Sequence, residues 1–141
     1  MSTNHYITAE DVRNFMLDRS AKDNPVQLDL VFAETEIDDA MRRAARDYNS
    51  LPPYTIKIDP TRLPGDTNIF LDAIAEQLCI SRMSKLMRQD FDFVAGGVET
   101  NQVRTEISHL KSLIELYGTR WREPAKQIKA TIALNTMWAH Y

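Results

Sequence analysis

The stretch Thr35 to Thr55, TEIDDAMRRAARDYNSLPPYT, constrains the fold more than any other part of the chain. Ile37, Ala40, Met41, Ala44, Ala45 and Tyr48 recur at the i, i+3, i+4, i+7, i+8, i+11 spacing that lines one face of an α-helix. Thr35 stands where an N-cap belongs, since its hydroxyl can accept from a free backbone N–H of the first turn. Asp38 completes a capping-box pattern and favours the positive end of the helix dipole. The opposite face carries Asp39, Arg42, Arg43, Arg46 and Asp47. Asn49 suits a left-handed C-terminal residue, and Pro52-Pro53 cannot continue a helix. The pattern predicts a central amphipathic helix with an extended exit.

Little elsewhere interrupts helix. Gly is scarce at 4, and Pro52, Pro53, Pro60 and Pro64 place four of the 6 prolines in one short segment. At 141 residues the chain has room for one core and one domain. Thr8-Ala9-Glu10-Asp11 is a second cap pattern, followed by Val12, Phe15 and Met16, and predicts a helix to Asp18 or Arg19. Asp23-Asn24-Pro25 breaks it, and Val26, Leu28, Leu30 and Phe32 then alternate as in an extended segment. Residues 50–66 read as the longest connection, either a stiff surface loop or a contact with a neighbouring subunit. Asp66 or Thr67 caps a long helix to about Met87, with Phe70, Leu71, Ile74, Ala75, Leu78, Cys79 (or Arg82), Met83, Leu86 and Met87 on a wide apolar face. Gly96-Gly97 marks a turn. A further helix is predicted from about Thr100 to Tyr117, with Gly118 as its stop, and a last one from a fresh start at Glu123-Pro124 to about Leu134. The expected fold is an all-α, single-domain bundle of four to five helices, with a long Pro-rich loop after the second and an extended C-terminal tail.

The residues offer no chemistry. His5, His109 and His140 are scattered, with no partner at metal-ligand spacing, and no phosphate-binding glycine loop or nucleophile elbow is present. The single Cys79 rules out an intrachain disulfide and, set among apolar residues, reads as a buried inert thiol of a protein folded in a reducing cytoplasm. No apolar run nears the roughly 20 residues that span a bilayer, and the N-terminus lacks signal-peptide order. Neither an enzyme nor a cofactor, metal or membrane partner is expected. Residues 1–110 hold 18 acids and 12 bases, whereas residues 111–141 hold 2 acids and 5 bases. The acidic body argues against general nucleic-acid affinity, while the basic end suits an acidic partner or DNA. A helix-turn-helix reader would need Arg42, Arg43 and Arg46 on phosphates, but Asp38, Asp39 and Asp47 share that surface.

Met137, Trp138 and Tyr141 stand at a chain end, where large side chains either fold back on the chain's own core or anchor in a partner. Together with the capped helix at Thr8–Arg13, the Ile37, Ala40, Ala44, Asp47, Asn49 helix ahead of Pro52-Pro53, the Gly96-Gly97-Val98 turn, and Lys129, Asn135, Trp138 and Tyr141 in the tail, the chain resembles the head–tail connector (adaptor, or head-completion) proteins of tailed bacteriophages. The resemblance covers nearly the whole chain. It implies a virion neck subunit, assembled in the host cytoplasm, that joins copies of itself in a ring, usually a dodecamer, under the portal protein. The ring would lengthen the channel through which genomic DNA passes without sequence-specific binding, and would present a surface to the next neck or tail protein. Residues 1–125 would form the body and 126–141 a docking segment, with Lys126, Lys129, Asn135, Met137, Trp138 and Tyr141 facing the portal. Arg42, Arg43, Arg46, Tyr54, Ile56 and Ile58 would be available to neighbouring copies. The competing readings are another neck protein (a stopper or tail-completion protein) and a small helical DNA-binding regulator.

Overall fold

A computed structural model describes residues 7–16, 32–52, 67–95 and 101–138. The fold is all-α. Four helices, α1 (Ala9–Met16), α2 (Glu34–Ser50), α3 (Thr67–Ala95) and α4 (Asn101–Trp138), account for the described secondary structure, with no strand among the described residues. The predicted extended segment before Phe32, the Pro-rich connection after Pro52 and the Gly96-Gly97 turn lie outside those residues, as do Tyr54, Ile56, Ile58 and Tyr141.

The cap of α1 forms as its sequence dictates. Asp11 Oδ2 accepts from the Thr8 backbone N–H at 2.9 Å, and Thr8 Oγ1 accepts from the Asp11 N–H at 3.3 Å. The start of α2 differs from expectation. Its N-cap is Ala33, not Thr35, because Glu36 turns back and accepts from the Ala33 N–H at 3.1 Å, which draws two more residues into the first turn. The C-terminus differs too. Leu51, at φ −75° and ψ 142°, leaves the helix directly into extended backbone toward Pro52, so no left-handed residue is needed at Asn49.

The helix α3 touches each of the other three, and its longest contact is with α4. One apolar cluster joins Val12 of α1, Ile37, Ala40, Ala44 and Tyr48 of α2, Phe70, Ile74 and Leu78 of α3, and Trp121 and Ala125 of α4. A smaller one gathers Cys79, Leu86 and Leu110, with Ile107, Ile114 and Tyr117 packed against it. The α2 stripe read from the sequence is thus the α2 core face.

The two helices expected after residue 100 are one. Gly118 and Pro124 both lie inside α4. Interior proline costs a helix about 3 kcal/mol, and glycine about 1 relative to alanine. The apolar stripe nevertheless runs through both, from Leu110 and Ile114 to Trp121 and Ala125, and burying it against α2 and α3 outweighs those local costs. Residues 135–138, expected in an extended tail, are likewise helical, since α4 continues through Trp138. At its own C-terminus α3 also overruns Met87 to reach Ala95.

Candidate functional site

Two carboxylates one turn apart on α3, Asp72 and Glu76, are almost wholly buried where α3 meets α4. Glu76 accepts from the Trp121 indole N–H at 2.5 Å through one oxygen and from Arg122 at 2.7 Å through the other. The Arg122 guanidinium carbon sits 5.1 Å from the centre of the Trp121 ring, adding a cation–π contact. Gly118 makes this possible. A Cβ there would lie 2.3 Å from Arg122 Nη1 and 2.9 Å from Glu76 Oε1, so the position is bare because the ion pair passes over it. Arg120 approaches Asp72 at 3.7 Å. On α2, Asp47 accepts from the Gln77 side chain at 2.6 Å. Burial raises its carboxyl pKa first, the charge of Glu76 adds to the rise, and Arg122 and Arg46 oppose it.

The second polar knot is Lys129, a fully buried lysine. Its ammonium donates to the backbone carbonyls of Tyr48 at 3.2 Å, Asn49 at 3.3 Å and Leu51, and lies 6.0 Å from the Tyr48 ring centre. These carbonyls lie at the end of α2, at the negative end of its dipole, and that of Tyr48 also accepts from the Leu51 N–H at 3.3 Å. Three acceptors and a favourable dipole offset part of the cost of burying a charge, and what remains lowers the lysine pKa through desolvation. Tyr48 stacks on Trp121 with ring centres 6.4 Å apart, so the knot adjoins the Glu76 seam.

Beyond Lys129 the helix turns outward. Ile128 and Ile132 are half-buried beside an open apolar groove of about 420 Å³, lined also by Ile69, Pro124, Gln127 and Thr131. From Leu134 to Trp138 every residue is exposed, with Leu134 at 55%, Met137 at 62% and Trp138 at 75%. Helix geometry explains why. At 100° per residue, Leu134, Met137 and Trp138 point about 120° to 180° away from Ala125, on the side opposite the core stripe. Within this helix they cannot fold back onto the core.

The expected site residues therefore separate. Asn135, Met137 and Trp138 share an exposed end, and Lys126 is exposed beside Glu123, its partner at 3.3 Å. Lys129, expected on the portal-facing surface, is instead inside the protein, because the end of α2 supplies acceptors that solvent would otherwise provide. The basic surplus of residues 111–141 is spent similarly, since Arg120, Arg122 and Lys129 all face partners on α3 or α2. Arg42, Arg43 and Arg46 are exposed on the outer side of α2, where Arg42 pairs with Asp39 at 3.1 Å. Such a pair contributes little.

Sequence reasoning passed over Trp121, Asp72, Glu76 and Gln77. Trp121 lies on the line joining Ile114 to Ala125, a signal hidden by treating Gly118 and Pro124 as helix ends. Among the described residues, no group of three His, Cys, Asp or Glu side chains is placed to hold a metal ion, and no helix is long and apolar enough to cross a membrane. Comparison of the chain with models of protein families, with curated proteins and with solved structures finds no match.

Proposed function

We propose that this chain is a non-enzymatic head–tail connector subunit of a tailed bacteriophage, and that the end of α4 docks on the portal protein. The observation that carries the reading is the exposed set Leu134, Met137 and Trp138, on the side of α4 opposite the core. Large apolar side chains held by a rigid helix are what an interface anchor requires, since little conformational entropy remains to be lost on binding. The sequence resemblance supplies the partner and the neck location. The acidic balance of residues 1–110, with 18 acids against 12 bases, suits a ring through which DNA must slide, because its net charge repels phosphates.

A subunit with one modest core can remain single in solution and assemble where a portal concentrates and orients its copies. Light scattering of the purified protein at micromolar concentration should give a monomer or weak self-association. Electron microscopy after mixing with portal particles should give a ring on the portal. A stable dimer or tetramer that ignores portal particles would overturn the proposal.

A further inference from the structure

We infer that Lys129 is a positioning residue: its buried ammonium fixes the register of α4 against the end of α2, and so sets where the exposed end of α4 is held. The inference rests on the docking role proposed for that end. Lys129 is the last buried residue of α4, and among the described residues no carboxylate bonds to it. The described acids of the adjoining seam are engaged elsewhere, Asp72 near Arg120, Glu76 with Trp121 and Arg122, and Asp47 with Gln77. Its three acceptors come instead from one place, the carbonyls of residues 48, 49 and 51.

That geometry selects a single arrangement. The Glu76 bonds to Trp121 and Arg122 hold α4 against α3 two turns earlier, but an apolar residue at 129 would let this part of α4 shift along the end of α2, since apolar contact has no direction. An ammonium shared by three carbonyls tolerates no slide, because any displacement strips a buried charge of the hydrogen bonds that hold it. Buried polar groups that fix helix register at some cost in stability are known from coiled coils. Here the register matters beyond the core. Leu134 to Trp138 begin five residues after Lys129 and stand about 8–14 Å further along the same helix, so they move with it. Slippage by one turn would displace them by about 5.4 Å.

The test uses Lys129→Met, which keeps an unbranched side chain and removes the charge. Spin labels at Ser50→Cys and Thr136→Cys, both exposed, in a Cys79→Ala background report the distance from the end of α2 to the end of α4. With Lys129 present the distance distribution should be single and narrow. In Lys129→Met it should broaden or shift by up to about 5 Å, the melting temperature should hold or rise, and binding to portal particles should fall at least tenfold with Leu134, Met137 and Trp138 all intact. An unchanged distribution in folded Lys129→Met overturns the inference. Should that variant not fold, Lys129→Gln takes its place, because two amide donors cannot serve three carbonyls, and a wild-type distribution there overturns the inference equally. The labels are read on the free subunit, so failure of the wild type to bind portal particles would count against the connector reading alone.

Discussion

Gly118→Ala sets two effects of known size against each other. In an ordinary helix interior, alanine is favoured over glycine by about 1 kcal/mol. At position 118 the added methyl would stand 2.3 Å from Arg122 Nη1, so the half-exposed guanidinium must swing aside. Glu76, 3% exposed, then has one of its two donors weakened or lost. A hydrogen bond to a charged group contributes about 1.5–3 kcal/mol, and half-exposed Arg122 places the loss toward the lower figure. The carboxylate oxygen 2.9 Å from the new carbon must also shift. The net expectation is destabilisation by about 0.5–1.5 kcal/mol, a fall of about 2–6 °C in Tm for a chain of this size. Thermal and urea unfolding followed by circular dichroism measure it. The decisive comparison repeats the substitution in an Arg122→Ala background, where no guanidinium occupies the space and alanine should stabilise by up to about 1 kcal/mol. Opposite signs in the two backgrounds demonstrate the coupling. A gain in Tm in the otherwise wild-type protein would refute the account of Gly118.

The two tryptophans of α4 should behave as opposites under thermal unfolding. Trp121→Ala, which empties a buried site and strips a donor from Glu76, should cost about 3–5 kcal/mol, whereas Trp138→Ala should barely move Tm and still abolish most binding to portal particles. Deleting residues 135–141 should likewise spare the fold, and an early-melting truncation that binds portal normally would show that the end is core after all. The raised carboxyl pKa of Asp47 means that the folded state holds an extra proton between the usual 3.8 and the raised value, so this group lends stability below that window and withdraws it as pH rises through it. Asp47→Asn, which can still accept from Gln77, should therefore gain on the wild type across that window and plateau above it; parallel urea-unfolding profiles from pH 3.5 to 7 would contradict this. The Cys79 thiol, pushed up to about 11 by burial and then by the charge of Glu76, should resist iodoacetamide at pH 8 until the protein is unfolded.

The parts of this fold that are legible in the sequence are those set by neighbours along the chain. The Thr8–Asp11 cap and the stripe from Ile37 to Tyr48 follow from spacing alone and are found as read. Gly118 and Pro124 mislead because their local meaning, a helix end, is overruled by α2 and α3, which bury Trp121 and Ala125 between and beside them. Lys129 misleads for a related reason. Its charge suggests surface, and the carbonyls that hold it lie 78 to 81 positions earlier. A trace of that role was present, since Lys129 shares a face with Ala125 and Ile132, but a lone lysine on an apolar stripe does not reveal its acceptors. Conversely, the exposed end of α4 was legible as a question only. The sequence leaves open whether Trp138 turns inward, and the continuity of the helix through it decides the matter by rotation.

From Ala130 to Tyr141 the sequence contains no Asp, Glu, Lys or Arg. A complex anchored through Leu134, Met137 and Trp138 buries no acid, lysine or arginine of this stretch, so raising sodium chloride should weaken it little, and sulfate should tighten it. Its strength should instead follow the hydrophobic effect, waning on cooling and yielding to mild detergent. A particle joined in this way survives a salt gradient and separates in the cold.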